Sequence, residues 1–167
     1  MAMLNKSVLL GLVFAVATST ASKDVPEQLL GKWVVRRVIP TPTITCWGGK
    51  ESKRLIGTEI RYEAHGFRWK EHRTESPDVI LEQLTADEFH DQNSGGGAAD
   101  SQVSLKDLGI TTAEVTQVSL SHPDANITGA TNEIPGDRVF IKGRDLIVFS
   151  VCNVWFEAKK ESALNER

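Results

Sequence analysis

Glu59-Ile60-Arg61-Tyr62-Glu63-Ala64-His65-Gly66-Phe67-Arg68-Trp69-Lys70-Glu71-His72-Arg73 is the stretch whose reading decides the fold. Residues 57–62 and 67–73 flank Glu63-Ala64-His65-Gly66, which reads as a hairpin loop. If Tyr62 pairs with Phe67, Ile60 falls opposite Trp69, and large apolar side chains share one face. On the other face Glu59 opposes Lys70. Arg61 opposes Arg68 there, with Glu63 close enough to relieve the repulsion. This register turns Thr58 and Glu71 inward and His72 outward. A bulge would undo it.

Outward from that hairpin the pattern stays β-like. Residues 33–39 are rich in β-branched side chains and stop at Pro40. Further strands are expected over 78–84 and 115–120. A second hairpin signal, Gly143-Arg144, separates 138–142 from 145–151, and the chain continues through Trp155-Phe156. Thr85-Ala86-Asp87-Glu88 is a capping box that predicts a short helix. Leu105-Lys106-Asp107-Leu108-Gly109 predicts a helical turn stopped by its glycine. Residues 93–100, Asn-Ser-Gly-Gly-Gly-Ala-Ala-Asp, form a loop. Short strands at close spacing indicate a mainly β, antiparallel barrel or sandwich rather than an α/β fold.

The N-terminus reads as a secretory leader. Lys6 precedes the apolar run Val8-Leu9-Leu10-Gly11-Leu12-Val13-Phe14-Ala15-Val16-Ala17 and the small residues Thr18-Ser19-Thr20-Ala21-Ser22. The run is about half the roughly 20 residues a membrane span needs. Cleavage near Ala21 or Ser22 gives the division 1–22 leader, 23–158 single β-barrel domain and 159–167 frayed tail. No transmembrane span is expected after removal of the leader, and the location is periplasmic or secreted. In an oxidising compartment the two cysteines, Cys46 and Cys152, read as a disulfide. That bridge joins the first and last strand regions, where a meander barrel must close, and closure removes exposed strand edges. A chain with 19 basic and 22 acidic side chains lacks the excess of Lys and Arg that a nucleic-acid binder carries.

Gly31-Lys32-Trp33 at the start of the first strand resembles the Gly-x-Trp of lipocalins and their calycin relatives, small exported barrels often tied by a disulfide. The resemblance implies that Trp33 closes the barrel floor and that Lys159 or Lys160 stacks on it. The chain lacks the Thr-Asp-Tyr signature of that family. Leu108-Gly109-Ile110 and Pro135-Gly136-Asp137 also resemble segments of uncharacterised exported bacterial proteins.

Chemistry-bearing patterns are sparse. His65, His72, His90 and His122 form no His-x-x-x-His pair, and there is no Gly-x-Ser-x-Gly elbow. Gly95-Gly96-Gly97 is followed by Ala98-Ala99-Asp100, not by the lysine and hydroxyl of a phosphate loop. Asn126-Ile127-Thr128 is a glycosylation sequon in a eukaryotic source. No catalytic residue, metal ligand set or cofactor is assigned. The aromatics carry the functional expectation: a small, mostly apolar molecule held inside the barrel against Tyr62, Phe67, Trp69 and Phe149, with Glu71 orienting a polar end. The alternatives are a filled core or a protein-binding module, such as a periplasmic inhibitor of a hydrolase, that uses loops near Trp47 or residues 93–100. An enzyme ranks third.

Overall fold

The described residues form ten antiparallel strands, some alternating apolar and polar side chains, as in β3, and some buried on both faces, as in β10. The computed structural model describes residues 19–22, 24–75, 78–93, 103–121 and 134–162. In chain order the elements are β1 (Ser19–Ser22), β2 (Gly31–Ile39), α1 (Gly49–Lys53), β3 (Glu59–Glu63), β4 (Gly66–Trp69), β5 (His72–Glu75), β6 (Asp78–Thr85), α2 (Ala86–Asn93), β7 (Glu114–Ser121), β8 (Arg138–Ile141), β9 (Leu146–Val151) and β10 (Val154–Lys160). They form one sheet in the order β1-β6-β7-β8-β9-β10-β2-β3-β4-β5. Among the described residues no ladder joins β1 to β5, so the sheet has two free edges and is not closed by hydrogen bonds. No described helix is long and apolar enough to cross a membrane.

The expected register of the first hairpin holds: Ile60 faces Trp69, Arg61 faces Arg68 and Tyr62 faces Phe67. The expected second strand does not run to Arg73. It breaks at Lys70-Glu71, where Lys70 takes a φ of 52°, and β5 turns back with His72 opposite Trp69. Lys70 therefore never opposes Glu59, and Glu71 is exposed rather than inward. Other expectations hold with small changes at their ends. In the capping box Thr85 N–H and Oγ1 both donate to Glu88, and the Glu88 N–H donates back to Thr85 Oγ1. Gly109 stops the helical turn with a φ of 68°, its neighbour Ile110 N–H reaching the Leu105 carbonyl. β10 continues through Lys160, two residues into the segment expected to fray. Residues 1–18 of the expected leader lie outside the described residues, whereas Ser19–Ser22 pair with β6.

Both faces of the sheet are covered. The inner face gathers Trp33, Val35, Ile60, Tyr62, Phe67, Val79, Val118, Phe149 and Phe156 into one core. Strands near both edges thus contribute to the same interior, so the sheet is strongly curled. On the outer face α2 and the turn around residue 108 bury Phe89, Leu105 and Leu108 against Ile39, Phe140, Val148 and Trp155. Beside that layer Glu157, nearly buried, accepts from Arg37 Nε at 2.8 Å and Nη2 at 3.0 Å, and from Lys142 Nζ at 2.6 Å. Those hydrogen bonds, Arg37 first, hold its pKa down to about 2 against the opposing effect of burial.

Candidate functional site

The residues expected to line a ligand cavity are packed against one another. Tyr62, Phe67 and Phe149 expose 2%, 2% and 0% of their surface. Tyr62 stacks on Phe67 at 6.1 Å, and Phe149 stacks on Phe156 at 5.5 Å. The Tyr62 hydroxyl donates to the Gly136 carbonyl at 2.7 Å, so the turn leading into β8 reaches into the interior. Gly136 is required there. Its φ is 92°, and a Cβ would come within 2.6 Å of the Tyr62 hydroxyl. Burial, with Asp137 nearby, holds the Tyr62 phenol well above its ordinary range. Trp69 is half-buried, stacked on His72 and capped by the Lys70 ammonium at 4.5 Å. Glu71 stands apart from all of them on the exposed turn, because of the break at Lys70. The structure therefore brings Tyr62, Phe67 and Phe149 into one core and separates Glu71 from it.

Two surface regions remain, one at each end of β2. At its start lies a groove of about 1210 Å³. Its charged lining is Glu27, Lys32, Arg61, Arg144, Asp145, Lys159, Lys160 and Glu161, five cations to three anions. Several of these are in ion pairs: Lys32 meets Glu59 at 2.9 Å, Arg36 meets Glu161 at 3.1 Å and Lys159 meets Asp145 at 3.6 Å. The Trp33 indole N–H donates to the Leu29 carbonyl at 2.7 Å. Lys160, the second of the two expected cations, lies 5.4 Å from the Trp33 ring centroid.

At the far end of β2, roughly 27 Å away at 3.3 Å per residue, residues 40–47 form an irregular loop. Cys46 and Cys152 form the expected disulfide, with Cα atoms 5.3 Å apart. The bond reaches the two-residue turn between β9 and β10, where Cys152 and Asn153 have φ values of 56° and 59°, the pattern of a type I′ hairpin. Three hydrogen bonds repeat the attachment. Cys46 N–H donates to the Cys152 carbonyl at 3.2 Å, Thr43 Oγ1 to the Asn153 carbonyl at 2.9 Å, and Asn153 Nδ2 to the Ile44 carbonyl at 3.2 Å. Trp47 leans on the core. Ile44 does the opposite: 72% exposed, it is the most exposed large hydrophobic side chain among the described residues.

Ile44 was not among the residues singled out from sequence. The signal available was its place between Pro42 and Cys46, where a β-branched residue has no strand to join. Among the described residues no histidine belongs to a group of three or more metal-ligating side chains. His65 is exposed beside Asp24, His72 lies against Trp69, and His90 belongs to α2. His122, the sequon and residues 94–100 lie outside the described residues. No family model, no curated protein and no solved structure matches this chain.

Proposed function

We propose that this protein is an exported, non-enzymatic binding module, of the hydrolase-inhibitor kind, that contacts another protein through residues 40–47. The observation that carries the reading is Ile44, an aliphatic side chain exposed on a loop fixed by a disulfide and three hydrogen bonds. Fixing the loop removes most of the ordering entropy that binding through this side chain would otherwise cost. An apolar contact flanked by backbone groups supplies recognition without any acid, base or nucleophile. The packed interior favours this surface reading over an apolar ligand held inside. A calycin-like barrel belongs to the same proposal, supported by the curl of the sheet around one core and by Lys160 over Trp33. The disulfide is compatible with a periplasmic or secreted location.

Two measurements test this. Tryptophan fluorescence of the purified chain, titrated with anilinonaphthalene sulfonate, is expected to show no saturable response, and a tight saturable one would restore the interior site. A photo-reactive residue at position 44, expressed in the source cells, is expected to give a discrete protein adduct that the same residue at position 144 does not. Equal adducts at both positions, or none at 44, would overturn the proposal.

A further inference from the structure

A row of cations crosses the outer face of the sheet, away from residues 40–47. Residues directly opposite one another on neighbouring strands share a face. The register sets Lys32 of β2 against Arg61 of β3, Arg61 against Arg68 of β4, and Arg68 against Arg73 of β5. Their chain neighbours Trp33, Ile60, Tyr62 and Phe67 point into the core, so the four cations lie on the other side. At ~4.8 Å between strands the row is about 14 Å long. Like charges set directly opposite one another are destabilising. Carboxylates relieve part of that repulsion: Lys32 meets Glu59 at 2.9 Å, Arg61 reaches the same carboxylate at 3.9 Å, and Arg73 lies near Glu63 and Glu75. Arg68, exposed between two arginines, has a guanidinium that no carboxylate among the described residues meets.

The acids beside the row narrow what it can receive. Residues two apart on a strand share a face. Glu59 therefore flanks the row on one side, and Glu63 and Glu75, with Gly66 between them in the ladder, flank it on the other. A flat anionic surface laid over this face would meet both lines of carboxylate. A single narrow chain lying along the row, its charges between those lines, meets the cations alone. Lys32 and Arg61 also line the groove of about 1210 Å³ together with Arg144 and Lys160, so the track continues beyond β2. We infer that this track binds a linear acidic polysaccharide, its carboxylate or sulfate groups received by Arg61, Arg68 and Arg73 and its chain running on into the groove. Guanidinium groups suit such planar or multi-oxygen anions because their donors form a fixed fork. The whole chain carries a net charge of −3, so the attraction is local and falls with added salt. The site is independent of the contact proposed at Ile44.

The test titrates the disulfide-intact chain with an oligogalacturonate, with its fully methyl-esterified counterpart and with a heparin oligosaccharide. Saturable binding of at least one acidic oligomer and none of the esterified one is expected, weakening as salt is raised. Arg68→Glu should weaken binding about tenfold or more without lowering the melting temperature, because it relieves the repulsion at the centre of the row. Arg68→Gln should show a smaller loss in the same direction. Lys106→Glu, at an exposed lysine elsewhere, and Ile44→Asp should both leave binding unchanged. Absence of binding to both acidic oligomers overturns the inference, as does an equal loss in Lys106→Glu. Arg68-dependent binding to phosphatidylglycerol vesicles that matches or exceeds binding to the oligomers would assign the row to a membrane surface and overturn it as well.

Discussion

The two ends of β2 are held by different chemistry, and the difference decides which side chains each leaves exposed. At the start of β2 the closure is made by large side chains: Trp33 donates to Leu29, and Lys160 lies over Trp33 while donating to the Gln28 carbonyl at 3.0 Å. Those groups are occupied. At the other end a covalent bond and small polar groups do the holding. Trp47 packs against the core beside them, and Ile44 is left facing solvent. A loop fixed by its backbone and a disulfide can display a side chain that a loop fixed by packing would have to bury.

Removing each closure breaks the comparison most directly. Cys46→Ala with Cys152→Ala opens a loop of sequence separation 106 and should cost about 5 kcal/mol in the chain-entropy model, read from denaturant midpoints. A loss below about 1 kcal/mol would mean that packing, not the bond, closes that end. Trp33→Ala should cost about 4 kcal/mol by deletion of a buried aromatic, with hydrogen exchange quickening around Leu29 and Lys160 before it does around Cys46. Equal quickening at both ends would erase the distinction.

Acid acts on the outer face between the ends. A carboxyl whose folded pKa lies below its unfolded value stabilises the fold above the unfolded value, and that contribution is lost as pH falls through the folded one. For Glu157 the window runs from about 4.3 down to about 2. About 3 kcal/mol should disappear across it, and Glu157→Gln should abolish this step in a plot of stability against pH. Tyr62→Phe removes the hydrogen bond to Gly136 and should cost about 1–2 kcal/mol. A gain in stability would show that the hydroxyl is tolerated rather than used. Smallest of all, Ile44→Asp should change stability by less than about 0.5 kcal/mol. A larger loss would place Ile44 in the packing and cancel its role as a displayed group.

What could be read in advance followed local rules. The Tyr62–Phe67 register, the Thr85–Glu88 box and the Gly109 stop are each set by residues within a few positions of one another. The Cys46–Cys152 pair was legible because only two cysteines are present. The misses have physical causes too. Lys70, Cys152 and Asn153 all take positive φ with no glycine to announce the turn, so two strands were read as continuing. Glu71 was placed inside for that reason alone. Alternation says which face a side chain takes, not whether a distant segment fills the space before it, so the reach of Gly136 toward Tyr62 was invisible. Ile44 was missed because burial is the default for isoleucine, and its place between Pro42 and Cys46 marks a loop without saying which way the side chain points.

The free edge β5 has a consequence for how copies of this chain could meet. The opposite edge, β1 in the full chain or β6 once a leader of residues 1–22 is removed, is unlike it, so β5 of one copy set against that edge of the next would repeat without ever closing, the geometry of a fibre. The side chains of β5 oppose that growth. Arg73 lies 3.5 Å from Glu63 and 3.3 Å from Glu75, a row of charge that an incoming strand would have to strip of water.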